Sequence, residues 1–583
     1  MKTPPLALLI SLVLVQSVFA QQPQTVLKDE LRRGWTLEPF RHGYSVLERE
    51  YGYSTYDSVG FDVKTSRFPI DAIKGKVRIP VFLVDWSDFN PVTDRSNKDS
   101  SRSKGHRDYK QHTPEEIQAY MNSDTGPAGY FKAASGGQLT VEFVVYPWIS
   151  SAKSNYLKDK EPNYYRYEEK RDQWIAYKKD MAMDVLRAMV AEQGFNPHDY
   201  DADGNKAIDG FIIAYEGGAG ELSGKNMSSL APITGSMGNF KDLVPQEDPN
   251  YKTFQEMDIL FGRYINMPET SMVQLRTLAH ETGHMLLGYK DYYYPGANGE
   301  RICDLGEYAT SARGSHFSPA AMEKYLYGKW IHPQVVTNGN LTLDSHHLAV
   351  GESYLDQKSY LHQVFVDDDP FHYFLIEYRH FDPDKRSFDY NQGISPSSRP
   401  QSGLVIFEVN ENNAIRKAWR SSIARHSPEH DKESPYAQVL SKRRTYQEGE
   451  EFSWSNGEFK IQVSDISYDG EVARYRLVTS HGDHKRPDAP ANLQARITDA
   501  GVHKLEWSSP EEGAAVAGYF LDVAEDAAFQ ALHDDYKAKA LRLNTAHELT
   551  SLAPDKKYYA QVWSIDTLGN RSPYSDTIIL EAN

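Results

Sequence analysis

Apolar and polar positions along the chain fall into two textures that change near residue 335. Val77 to Val84 is dominated by β-branched residues and is closed by Asp85-Trp86-Ser87-Asp88, which predicts a strand. Thr113-Pro114-Glu115-Glu116 predicts a helix start, with Thr as N-cap, Pro at the first position and Glu at the third. The Ser135-Gly136-Gly137 turn leads into a strand from Leu139 to Tyr146, and Phe211 to Tyr215 reads as another buried strand. Strands interleaved with helices predict an α/β or α+β domain, read here as α/β over 75–334.

Beyond residue 335 the pattern turns to short β-type runs with few helical periods. Tyr373 to Tyr378, Leu404 to Val409, Phe459 to Val463 and Arg474 to Val478 predict an antiparallel, sandwich-like all-β domain over 335–482. His481 to Pro490 is polar and Pro-punctuated, the texture of a linker. Over 488–583, Leu505-Glu506-Trp507 predicts a strand with an inward Trp, and Gly518 to Val523 a second strand. Leu552-Ala553-Pro554 then precedes Tyr558, and Asp566 to Ser572 is a turn. This order resembles a fibronectin type III domain, a β-sandwich in which the Tyr after Leu-x-Pro makes a corner hydrogen bond. The resemblance assigns that part to Tyr558. Such a module brings no chemistry by its fold alone.

The first twenty residues read differently. Lys2 supplies a positive start, Leu6 to Val15 an apolar run, and Val18-Phe19-Ala20 a small-residue cleavage pattern. The run is shorter than the roughly 20 residues that span a bilayer, so 1–20 is expected to be a signal peptide cut after Ala20. The expected product is secreted, without integral membrane association. The Tyr-rich stretch 21–74 reads as an N-terminal extension or a pro-segment.

Composition narrows the function. The chain has 583 residues and a formal net charge of −17, an acidic excess that argues against a nucleic-acid partner. One cysteine, Cys303, excludes an intramolecular disulfide framework.

The candidate chemistry lies at His280-Glu281-Thr282-Gly283-His284. Four residues apart on a helix, His280 and His284 project from one face. Neutral imidazoles suit Zn²⁺, which then needs a third protein ligand and an open position for water. Glu281 stands where it can serve as general base. Ser271-x-x-Gln274 reads as a capping box, and Met272, Leu275, Ala279 and Leu286 form an apolar stripe that turns the histidines toward a cleft. Gly288 then ends the helix. A second cation site, for Ca²⁺, is read at Asp199, Asp201, Asp203 and Asn205 with Asp209 closing. The alternate carboxylates and Gly204 match the front half of a calcium loop, though Asp209 falls one place short of the usual closing Glu.

The chain from about Val77 to Gly403 resembles the immune inhibitor A-like secreted zinc metallopeptidases. The resemblance rests on Val81 to Asp88, Tyr130-Phe131-Lys132 with Ser135-Gly136-Gly137, the Asp-rich entry to Ile208-Asp209-Gly210, and the His-Glu-x-x-His motif. Gly314 to Ser318, Phe374 to Arg379 and Gly403 to Ile406 continue it. It implies a zincin-like, metzincin-type catalytic domain that cleaves extracellular proteins or peptides, often with bound calcium. Two departures stand out. One extra residue separates His284 from Gly288, and Ile302 to Gly306 occupies the place of the Met-containing turn. The family's third ligand is an Asp three residues after the Gly, which is Asp291 here. The extra residue rotates the helix end by about 100°, so Glu300, Asp304 and Glu307 stay in competition with it.

No nucleophile elbow, phosphate-cradling loop or selected carboxylate pair competes with this motif, and Cys303 reads as a packing residue. The expected function is therefore zinc-dependent endopeptidase, with Glu281 as base. The alternative is a secreted binding or adhesion protein on a degenerate peptidase scaffold, which has no need of Glu281. Oligomeric state is not legible.

Overall fold

The computed structural model describes residues 74–85, 112–151, 153–158, 171–202, 206, 208–215, 239–261, 264–269, 272–287, 293–295, 301–303, 319–347, 352–355, 357–381, 402–410, 437–439, 445–481, 486–498, 501–510 and 516–581. The expected signal peptide and all of the N-terminal extension except Lys74 lie outside them.

A parallel sheet organises the first part. Strand β1 (Gly75–Asp85) pairs with β2 (Leu139–Val145), β3 (Ile149–Ser150) and β4 (Phe211–Tyr215), and β4 pairs with β5 (Tyr264–Pro268), all in parallel. Strands β4 and β5 and the second half of β1 are buried on both faces, as a covered parallel sheet requires, while β2 at the edge carries Thr140 and Glu142. Ile79, Val81 and Leu83 enter one core with α1 (Pro114–Met121) and α2 (Pro127–Ala134), while Phe82 and Val84 enter a second core. That second core is filled by Val185, Leu186 and Met189 of α3 (Arg171–Gln193) and by Phe254 of α4 (Tyr251–Gln255). Thr113 and Glu116 form the reciprocal cap expected at the start of α1. Gly136 follows α2 with φ +63°, and a Cβ there would meet the Tyr354 ring at 2.6 Å. Only glycine suits both the conformation and the contact.

Strand β5 leads to α5 (Leu275–Leu287), then to the hairpin β6–β7 (Tyr293–Pro295, Arg301–Cys303). Ile302 and Cys303 thus lie in a short paired strand, not in a turn. Helix α6 (Ala321–Glu323) runs on as a π-helical turn through Lys324–Gly328.

The next sheet has the order β13-β12-β11-β10-β8, with β8 (Gln334–Val335), β10 (His362–Val366), β11 (Asp369–Arg379), β12 (Gly403–Asn410) and β13 (Ala437–Val439). It faces a second sheet of β9 (Gly339–Asp344), β14 (Phe452–Ser455), β15 (Lys460–Asp469) and β16 (Val472–Thr479). Phe374, Ile376, Leu404 and Ile406 fill the space between the sheets. The alternate residues Leu375, Val405, Phe407 and Val409 turn outward into the core of the parallel sheet. Burial on both faces explains the nearly continuous apolar runs of β11 and β12, whereas β16 alternates because its outer face meets solvent. Inside the sandwich, burial holds His362 neutral and pushes its pKa down to about 4. The Tyr475 hydroxyl lies 2.5 Å from His362 Nδ1, a hydrogen bond that joins the two sheets.

The last seven strands form a three-stranded sheet of β17 (Ala491–Ile497), β18 (His503–Ser508) and β21 (Ala546–Leu549). It packs on a four-stranded sheet of β20 (Lys539–Arg542), β19 (Val516–Ala524), β22 (Tyr558–Asp566) and β23 (Ile578–Leu580). Trp507, Leu521, Tyr536, Tyr558 and Val562 fill its own core. Ala553 N–H donates to the Tyr558 hydroxyl at 3.3 Å, the corner bond read from the sequence. Among the described residues, this unit meets the rest of the chain at Thr567 to Asp368 at 3.2 Å, at Lys74 to Asp535 at 2.5 Å, at Ala517 and where Gly569 comes close to Val335.

The texture change at 335 falls within β8, and the core crosses it. Removing Leu361, Phe365, Leu375, Val405, Phe407 and Val409 from the first core forfeits roughly 10–20 kcal/mol of apolar burial. That matches the ~5–15 kcal/mol stability of a whole domain. A fragment ending at residue 334 is therefore expected to lack cooperative unfolding in calorimetry, whereas 486–583 alone unfolds cooperatively. A sharp transition in the first fragment contradicts the shared core.

Candidate metal centre

Helix α5 starts from the end of β5. Pro268 closes the strand, Met272 N–H donates to Glu269 O at 2.8 Å, and Gln274 O receives the first helical bond from Leu278 N–H at 3.1 Å. The helix thus begins at Leu275. Gln274 stands at its entrance rather than in the third position that the expected capping box requires, and Ser271 lies outside the described residues. Met272, Ala279 and Leu286 enter the first core with Leu275 packed against it, which is the stripe read from the sequence.

The same helix buries its polar face. His280, Glu281 and His284 are only 7, 4 and 6% exposed. The Nε2 atoms of the two histidines lie 3.0 Å apart, with ring centroids 4.5 Å apart and planes near perpendicular at 87°. Glu281 Oε1 is 3.8 Å from His280 Nε2. One ligand atom from each of the three residues falls within 4.8 Å of the others, and no other such group occurs among the described residues. Two nitrogens on one tetrahedral zinc, at bonds of ~2.05 Å, are roughly 3.3 Å apart. The histidine pair is near that spacing, and its donor set of two imidazoles fits a borderline-soft cation. Asp291, Glu300, Asp304 and Glu307 lie outside the described residues, as does Gly288.

Of the acidic loop, Asp199, Asp201 and Asp209 are described, and Asp203 and Asn205 are not. Asp209 is buried and accepts Ala202 N–H at 3.1 Å through Oδ2, while Asp201 accepts Lys206 N–H at 3.0 Å. Asp199 accepts from Asn196 Nδ2 at 3.3 Å. The Asp209 bond ties Ala202 to the residues that enter β4.

Two residues at the entrance of α5 escaped the sequence reading. Glu269 is fully buried, and its Oε1 lies 2.6 Å from His112 Nδ1 just ahead of α1. Tyr120 of α1 hydrogen-bonds the backbone of Leu275, and burial raises its pKa. Together they fasten α1 to the start of α5. A charged residue directly after an apolar strand was the available signal at Glu269, but nothing in sequence joins it to His112.

No family model matches this chain, and no curated protein matches it. Solved structures that it is similar to include fibronectin type III domains. A Fn3-like protein from Clostridium thermocellum is 20% identical at a TM-score of 0.14, covering 16% of this chain and 92% of its own. The FN5 domain of Drosophila Lar has the same identity and TM-score, covering 16% of this chain and 96% of its own. The sixth fibronectin type III domain of human fibronectin type III domain containing protein 3 is also 20% identical at 0.14, covering 16% and 85%. The chain is multidomain and mostly β, and among the described residues no helix is long and apolar enough to cross a membrane.

The His112–Glu269 contact is expected to stabilise the fold by about 1.5–3 kcal/mol, the range for a hydrogen bond to a charged group. His112→Ala should lower urea stability by that amount in the wild-type background and by clearly less beside Glu269→Gln. Equal losses in both backgrounds would show that the pair is not coupled.

Proposed function

We propose that the chain is an exported zinc-dependent endopeptidase of the immune inhibitor A-like kind, acting on extracellular proteins or peptides. The observation that carries this reading is the buried His280–His284 pair, its Nε2 atoms 3.0 Å apart, with Glu281 on the same helix. The zincin-like reading of the first domain draws support from the parallel sheet whose last strand runs directly into that helix. The ordered motifs from Val81 to Gly403 favour the family.

His280 and His284 would hold the zinc, and Asp291 is the proposed third ligand. Bound zinc supplies a Lewis acid that lowers the pKa of water toward about 7 and polarises a carbonyl. Glu281 takes the proton from the attacking water at its carboxylate and passes it to the leaving amine. Both roles require a carboxylate held within reach of the histidine face, and burial on a rigid helix provides that. The apolar stripe on the opposite side keeps the helix from rotating, so both imidazoles stay aimed at one point.

Glu281→Gln preserves shape and both histidines, so zinc content should be unchanged while casein cleavage falls at least ~100-fold. Normal turnover at full zinc content would remove Glu281 from the reaction. Chelator-insensitive cleavage, or none by folded, zinc-loaded protein, would favour the binding-protein reading. For the third ligand, Asp291→Ala should abolish stoichiometric zinc binding, whereas Glu300→Ala, Asp304→Ala and Glu307→Ala retain it. Retention in Asp291→Ala and loss in one of the others reassigns the ligand.

A further inference from the structure

Helix 321–328 is fastened to the sandwich by charged groups without solvent contact. Glu377 of β11 accepts Ala321 N–H at Oε2 and Arg379 Nε at Oε1, both at 2.5 Å. Glu323 accepts Ala320 N–H at 2.9 Å. Lys324 Nζ lies 3.0 Å from both Nδ1 and the carbonyl oxygen of His346, and 5.6 Å from the centre of the Tyr354 ring. Lys324, His346, Glu323, Glu377 and Arg379 are all 0% exposed. The Tyr354 hydroxyl donates to Ala134 O of α2 at 3.0 Å, so the parallel-sheet domain joins the same junction.

Lys324 has no carboxylate within ion-pair reach among the described residues. Glu323 and Glu377 are the nearby acids, and both are engaged elsewhere. An ammonium here exchanges its hydration for one carbonyl, one imidazole nitrogen and a ring face, which is costly. A neutral amine makes the same contacts at no such cost. With Lys324 donating to Nδ1, the His346 proton sits on Nε2, facing Glu377 Oε2 at 3.3 Å. The charged and titratable groups around the amine are Glu323 from its own helix, His346 and His347 after β9, Tyr354 and Tyr360, and Glu377 and Arg379 from β11. Burial foremost lowers Lys324 to about 7 and holds His346 and His347 well below the usual imidazole range.

We propose that Lys324 is a proton-operated latch between helix 321–328 and the sandwich, seated as a neutral amine on His346 and weakened when it takes up a proton. Met322, Tyr325 and Leu326 share the first core with Leu278, Ala279 and Leu286 of α5, so release of the latch reaches the helix that carries His280 and His284. Only this last step rests on the metal-centre reading. The latch itself does not.

The sign follows from linkage. An unfolded lysine titrates at its ordinary 10.5 and the folded one at about 7, so between those values the unfolded chain holds one more proton. Stability therefore rises with pH across that window. Urea unfolding of the full chain at about pH 7.5, 8.5 and 9.5 should show the wild-type unfolding constant falling close to tenfold per pH unit relative to Lys324→Met. Parallel pH dependences in the two proteins would overturn the latch. If Lys324→Met does not fold, amide exchange across 321–328 in the wild-type chain decides. After correction for intrinsic exchange, the opening constant should fall close to tenfold per pH unit over the same window, and a flat profile overturns the proposal.

Discussion

Ten consecutive residues of one helix, Leu278 to Leu287, are buried, and three of them are His280, Glu281 and His284. A helix buried all round is ordinarily apolar all round, and burying ionisable groups is expensive unless they find partners. The surrounding structure follows from meeting that requirement. The parallel sheet presents Ile265 and Met267 to one side of α5, helix 321–328 contributes Met322 and Leu326, and the outer face of the sandwich closes the same core. The polar side brings His280, Glu281 and His284 together, with one side-chain donor atom of each within 4.8 Å of the others.

The neighbouring domains are bound into this arrangement to different degrees. The sandwich over 335–481 is inseparable from the parallel sheet, since β11 and β12 place alternate side chains in two different cores. Its attachment is reinforced by the buried Lys324–His346 contact and by Glu377, which Arg379 and Ala321 N–H engage in place of water. The C-terminal sandwich has its own core, and Asp566 orders its Leu568–Asn570 turn through backbone bonds of 2.9 and 2.7 Å. Among the described residues it meets the remainder through polar pairs such as Thr567–Asp368 and through apolar packing at Ala517 and Val335.

The strands and the reciprocal cap at Thr113 were legible because they depend on local patterns, short β-branched or apolar runs and a four-residue motif. The histidine pair was legible for the same reason, since four residues are about one helical turn. Less was visible where partners are distant. His112 and Glu269 are 157 residues apart, and Lys324 meets His346 across 22 residues of unrelated texture. The shared core was hidden because a strand buried on both faces looks alike whichever domains cover it. The start of α5 was misplaced by a Ser-x-x-Gln pattern that mimics a capping box just upstream of the true entrance.

X-ray absorption at the zinc edge of the zinc-loaded full chain tests the centre most directly, because it reads donor atoms without relying on a substrate. Two imidazole nitrogens with oxygen donors at about 2.0–2.1 Å and no sulfur are expected, with one imidazole lost in His284→Ala. A shell containing the sulfur of Cys303, or a spectrum that His284→Ala leaves unchanged, would contradict a zinc centre built on this helix.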